Sequence, residues 1–130
     1  MILYLSGPIT GVEDYKARFK HAQVTLTMAG KQTVLNPAVM PEGLKAYDDY
    51  MRIDLAMLEA ADGIVMLPGW KKSKGAKIEL KAALKGGKMV FFGLESIMRK
   101  VAPEAEYDVK YTRLPVKLVR KMIANEYQNQ

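Results

Sequence analysis

The chain has 130 residues, 49% of them apolar, with a formal charge of +6, which suits one compact domain with a real core. It contains no cysteine and a single histidine, His21, which excludes disulfides, thiolate catalysis and zinc–sulfur sites. No apolar run reaches the ~18 residues of a membrane span, and Met1 to Leu5 lacks the basic flank of a signal peptide, so a cytoplasmic, metal-free protein without a cofactor is expected.

In chain order, Ile2 to Ser6 reads as a first strand and Gly7 to Gly11 as a loop. Glu13 to Ala29 reads as a helix carrying Tyr15, Phe19, Ala22, Leu26 and Ala29 near helical spacing, with Gly30 at its C′ position. His21 is expected on its exposed side. Thr33 to Leu35 is a second strand, ended by Asn36-Pro37. After a proline- and glycine-containing loop, Asp48 or Asp49 is expected to cap a second helix running to about Ala61. Its inward stripe reads as Tyr50, Ile53, Met57 and Ala61. Ile64 to Leu67 is a third strand, Lys74 to Leu84 a third helix closed by Gly86-Gly87, and Met89 to Phe92 a fourth strand. Ser96 to Val101 and Pro115 to Tyr127 read as two further helices.

Short apolar strands alternating with helices predict an α/β fold: a small doubly wound parallel sheet of four to five strands in an order such as 2-1-3-4, with flanking helices. The whole chain reads as a single domain, with residues 94–130 as an extension that packs on the core or on a neighbouring subunit. Ligands of such sheets bind at the carboxyl ends of the strands, here Ser6-Gly7-Pro8, Asn36-Pro37, Pro68-Gly69-Trp70 and Gly93.

Two carboxylates fall where core residues are expected. Glu79 lies three residues after Ala76 and four before Ala83, on the apolar face formed with Leu80 and Leu84. Asp54 lies four after Tyr50 and three before Met57. An inward carboxylate costs free energy unless it is paired or used. The structural alternatives are helix-dipole stabilisation at a solvated edge for Glu79 and an ion pair with Arg52 or a lysine for Asp54. Paired carboxylates in different environments can divide into a nucleophile and an acid, as in glycoside cleavage.

Between the third strand and helix, Trp70 to Gly75 brings Lys71, Lys72 and Lys74 together with Ser73, a candidate anion site at a helix N-terminus. Neither the P-loop nor the dinucleotide glycine pattern is present. Trp70 either stacks on a base or pads the loop. Charge is uneven: residues 1–70 carry 6 Lys/Arg and 8 Asp/Glu, residues 71–130 carry 14 and 6. The basic half favours an anionic ligand. A nucleic-acid partner is not expected, because no stacking platform is interleaved with the basic residues.

Three segments in order, Tyr4-Leu5-Ser6-Gly7-Pro8-Ile9, Asp54-Leu55 to Ala61-Asp62-Gly63-Ile64-Val65, and Ser73-Lys74-Gly75-Ala76-Lys77-Ile78-Glu79-Leu80, resemble the nucleoside 2-deoxyribosyltransferase-like family over residues 1–93. The resemblance implies a flavodoxin/Rossmann-like fold, a homodimer or larger homo-oligomer, and a nucleotide substrate. It implies Glu79 as nucleophile, Asp54 as the residue that protonates or orients the leaving base, and Tyr4 as a hydrogen-bond donor to the nucleophile. Gly7, Pro8 and Ile9 match a loop against the base, and Ser73 and Gly75 match positions at the sugar 5′ end. Ser6, Trp70 and Ala76 adjoin these and complete the expected substrate-binding set. Ser73 stands where the base-exchanging transferases carry an Asp, which turns the expectation toward cleavage of the N-glycosidic bond of a nucleoside 5′-monophosphate, with deoxynucleotides as the expected substrates. Base exchange, an NAD-type glycohydrolase, and a non-catalytic nucleotide sensor are the alternatives.

Overall fold

The computed structural model describes residues 1–28, 31–44 and 46–101. The expected Ala29 and Gly30 helix end, the helix over Pro115 to Tyr127, and the extension beyond Val101 lie outside them.

Among the described residues, four parallel strands, β1 (Ile2–Ser6), β2 (Thr33–Leu35), β3 (Gly63–Met66) and β4 (Met89–Phe92), form one sheet in the order β2-β1-β3-β4. The register sets Tyr4 beside Ile64 and Ser6 beside Met66. The helices of the described residues cover the sheet: α1 (Tyr15–Met28), α2 (Tyr47–Glu59), α3 (Lys74–Lys85) and α4 (Gly93–Val101). This is the expected doubly wound α/β fold.

Side chains of successive strand residues point to opposite faces, and the strands are apolar on both. Leu3, Leu5, Val65 and Phe91 meet Phe19, Ala22 and Leu26 of α1 and Leu94, Ile97 and Met98 of α4. Tyr4, Ile64, Met66 and Phe92 meet Leu58 of α2 and Ala76, Leu80 and Ala83 of α3. Each fully buried aliphatic or aromatic side chain contributes roughly 1.5–3 kcal/mol. Residues 94–98 of the expected extension therefore complete the core.

The helix boundaries differ from expectation in instructive places. The residue preceding α2 is Ala46, which makes no side-chain cap, and Asp48 and Asp49 lie inside its first turn, where they complement the helix dipole. The buried face of α2 is Met51, Asp54 and Leu58, whereas Ile53 is exposed. Tyr50 instead donates its hydroxyl to the Pro41 carbonyl at 3.1 Å. The α2 C-terminus is held from outside: Lys88 Nζ donates to the carbonyls of Glu59 at 2.7 Å and Ala61 at 2.6 Å, a lysine satisfying terminal acceptors. On α3, Leu84 is exposed rather than on the buried face. His21 is half-buried on α1 rather than exposed.

The chain leaves β1 toward β2 on one side and returns to β3 on the other. The order thus reverses between β1 and β3, and the crevice outside their carboxyl ends is where such sheets bind ligands.

Candidate active site

Three elements converge at that reversal. From β1, Tyr4 and Ser6 are two residues apart, so both side chains point to the α2–α3 face. Both are fully buried. From β3 the chain passes Leu67, Pro68 and Gly69, makes a 3₁₀ turn over Trp70–Lys72, and opens α3 at Lys74. Ser73 is the N-cap: its Oγ accepts the Ala76 backbone N–H at 3.2 Å, satisfying one of the unpaired donors of the first turn.

Glu79 lies in the second turn of α3 and is only 5% exposed. The Tyr4 hydroxyl donates to its Oε2. The Ser6 hydroxyl donates to its Oε1 at 2.7 Å. Each carboxylate oxygen therefore accepts one hydroxyl from a neighbouring strand. Burial pushes the Glu79 carboxyl up to about 7; the Tyr4 and Ser6 hydrogen bonds pull it down, and Asp54 pushes it up again. A glutamate resting on the helix dipole at a solvated edge would be exposed and in the first turn. Glu79 is neither.

Asp54 is 9% exposed. Burial raises its carboxyl to about 6. Its Oδ1 is buried and has no hydrogen-bond partner among the described residues. The ion pair with Arg52 is not made: Arg52 pairs with Asp49 on the outer side of α2. A buried acceptor left without a donor costs about 1–3 kcal/mol, and such an atom beside a second buried carboxylate marks a place where a ligand's polar group would be gained rather than lost. The Tyr4 hydroxyl is raised far above its ordinary value by burial, then by Glu79 and Asp54, so it stays protonated as a donor.

The loops around this pair pack tightly. A Cβ on Gly7 would meet Leu67 Cβ at 3.0 Å, and one on Gly69 would meet Pro8 Cγ at 3.1 Å. The Gly7-Pro8-Ile9 loop is thereby fixed against the loop that follows β3, and Leu67 N–H donates to the Ser6 carbonyl at 2.7 Å. Pro8 and Ile9 remain half-buried. Gly75 and Ala76 occupy the opening of α3, with Ala76 in the core.

One expected binding residue does not take that role. Trp70 is 3% exposed and belongs to the core on the α2–α3 face, its ring 6.0 Å from that of Phe92. Of its two readings the structure shows padding, because no ring face is left open to a base. Conversely, Ser6 is more than a loop-edge residue, since it holds Glu79 directly. The signal was its two-residue spacing from Tyr4 on one strand face. Tyr47, assigned no part from sequence, also reaches this region: a Cβ on Gly75 would lie 2.9 Å from its hydroxyl oxygen. Among the described residues no group of three or more His, Cys, Asp or Glu side chains could hold a metal ion, and no helix is long and apolar enough to cross a membrane.

A buried carboxylate pair at the switch point of a small doubly wound sheet is the arrangement that defines this protein. The chain belongs to the family described as domain of unknown function (DUF4406), whose model matches residues 1–92. No curated protein matches it. Among solved structures it is similar to the 2-desoxiribosyltransferase from Leishmania mexicana, at 18% identity and a TM-score of 0.55, over 70% of this chain and 62% of that one. The chain therefore spans less than two thirds of that enzyme's length, and the likeness shows the shared α/β fold.

Proposed function

We propose that the protein cleaves the N-glycosidic bond of a nucleoside 5′-monophosphate, with deoxynucleotides as the preferred class. The observation that carries this reading is the Glu79 carboxylate, buried, hydrogen-bonded at both oxygens by Tyr4 and Ser6, and coupled to a second buried carboxyl with an unpartnered oxygen. The fold likeness to a deoxyribosyltransferase supports the same class of chemistry.

In the first step a Glu79 oxygen attacks the anomeric carbon. The C–N bond breaks, its electron pair passes to the base nitrogen, and Asp54 delivers a proton to the departing base. The product is a glycosyl ester of Glu79. In the second step water attacks the same carbon, gives its proton to the Asp54 carboxylate, and the ester bond breaks to regenerate Glu79. Covalent catalysis divides one difficult displacement into two. Protonating the leaving group is worth ~10²–10⁴-fold.

The reaction needs one proton on the carboxyl pair, and it needs that proton on Asp54. Burial raises both carboxyls, Glu79 to about 7 and Asp54 to about 6, so the pair shares a proton near neutral pH. A base whose nitrogen accepts from Asp54 favours the protonated form there. The Tyr4 and Ser6 donors favour the ionised form of Glu79. Both interactions favour the proton on Asp54 when substrate is bound. Ser73, the backbone at Gly75 and the lysines 71, 72 and 74 supply an anion-favouring end for the phosphate, while Gly7, Pro8 and Ile9 border the base.

The test is base release. Nucleosides, their 5′-monophosphates and NAD are incubated with the protein, with and without an acceptor base, and free base is separated by chromatography. Release from monophosphates without acceptor is the expected result. Release that requires an acceptor base assigns the protein as a transferase; tight nucleotide binding without release assigns it as a sensor.

A further inference from the structure

The α2 face that meets α3 carries Tyr47, Met51, Asp54 and Leu58, at positions spaced by four, three and four residues. Side chains so spaced share one helix face. Asp54 serves the carboxylate pair. Two turns earlier, Tyr47 lies over the opening of α3: a Cβ on Gly75 would fall 2.9 Å from the Tyr47 hydroxyl oxygen and 3.5 Å from Met51 Sδ. Glycine at position 75 is what lets the tyrosine hydroxyl approach the helix there. Gly75 and Glu79 are four residues, just over one turn or ~6 Å, apart along α3. The Tyr47 hydroxyl is therefore displaced from the nucleophile by about one helical turn, in the direction of the α3 N-terminus.

Tyr47 is 44% exposed, and Lys74 Nζ sits over its ring, 5.6 Å from the centroid, within cation–π range. The hydroxyl end is nonetheless within reach of the site's charges: burial, then Glu79, then Asp54, then Asp48 raise its ordinary value. A hydroxyl donor, a lysine ammonium and the first backbone N–H groups of a capped helix thus converge at one end of the site. The unpartnered, buried Asp54 oxygen marks the other end as a place for a ligand.

We propose that Tyr47 is the specificity-determining residue for the phosphate end of the substrate: its hydroxyl donates to a 5′-phosphate oxygen, and Lys74, held against its ring, neutralises the same group. This assignment rests on the nucleotide reading of the site given above. Its chemistry is that of a charge-assisted hydrogen bond, which a neutral sugar end would not engage. Tyr47 thereby selects nucleotides over nucleosides.

Binding of 2-deoxyribose 5-phosphate and of 2-deoxyribose, neither of which contains a glycosidic bond to a base, is measured by NMR titration of the full chain. Tyr47→Phe keeps the ring and its lysine and removes only the hydroxyl. The expected result is a loss of about tenfold or more in affinity for the sugar phosphate, with binding of the unphosphorylated sugar unchanged. Lys74→Gln weakens the sugar phosphate in the same sense and reduces the salt dependence of its binding. Unchanged affinity in Tyr47→Phe, an equal loss for both ligands, or failure of the wild-type protein to bind the sugar phosphate overturns the assignment. Base release from a deoxynucleoside 5′-monophosphate is recorded beside it. A wild-type protein that holds the sugar phosphate through Tyr47 yet releases no base overturns the glycosidic reading and leaves the role of Tyr47 standing.

Discussion

Tyr4 and Glu79 are 75 residues apart in sequence, and the hydroxyl of the first donates to Oε2 of the second in the core between sheet and helix. The tyrosine is fixed by its strand neighbours, and the glutamate by the buried face of α3. Neither can leave without opening the layer that holds both.

Removing that donor should act on the pH profile as well as on the rate. The Tyr4 hydrogen bond lowers the Glu79 value, so Tyr4→Phe raises it and moves the alkaline limb of kcat/KM upward. A hydrogen bond to a charged group is worth about 1.5–3 kcal/mol, so the rate should fall roughly 10–100-fold. A pH–rate profile of the variant checks both.

The wild-type profile should be a narrow bell. The proposed mechanism needs one proton on the Asp54–Glu79 pair. Below about 6 both carboxyls are protonated, and above about 7 both are ionised. The limbs belong to the pair rather than to either residue. Base release measured between pH 4 and pH 9 should peak between the two values.

Asp54→Asn should separate leaving groups. Ordinary nucleobases that require protonation should lose about 10²–10⁴ in rate. A glycoside whose leaving group departs as a stable anion should lose far less, because no proton is needed. Parallel rates on the two substrates check this, and an equal loss on both would remove Asp54 from the role of acid.

The same burial that raises Glu79 makes it a burden on the fold. Its folded value of about 7 stands above the ordinary 4.5. The stabilisation it gives is complete below about 4.5 and is lost as pH rises through about 7. Asp54 contributes in the same sense. Glu79→Gln does not titrate, so its stability relative to wild type should grow between pH 5 and pH 8. The gain at pH 8 should be about 1–3 kcal/mol. Denaturant melts at the two pH values measure it.

The sheet was legible because each strand is a short apolar run closed by glycine, proline or a polar turn; β1, β2 and β4 follow the expected limits, and β3 is displaced by one residue. α2 was less legible for a reason tied to the site. Asp54 stands at the centre of its buried face, so a search for apolar spacing placed Met57 and Ala61 correctly against the core but chose Tyr50 and Ile53 where Met51 and Leu58 are buried. Glu79 escaped this because Ala76, Leu80 and Ala83 fix the α3 face around it. Trp70 showed the limit of reading a loop by residue type: stacking on a base and padding the loop were both open, and the 3₁₀ turn folds the ring toward Phe92. Tyr47 gave no signal because its meaning depends on the approach of α2 to Gly75, which no local pattern encodes.

The most direct measurement compares wild-type protein with Glu79→Gln on a deoxynucleoside 5′-monophosphate, reading free base by chromatography and the protein by intact mass after an acid quench. Wild type should release base and carry a transient adduct of one deoxyribose phosphate. Glu79→Gln, folded by its melt, should do neither. Base release by Glu79→Gln at the wild-type rate would contradict Glu79 as the nucleophile.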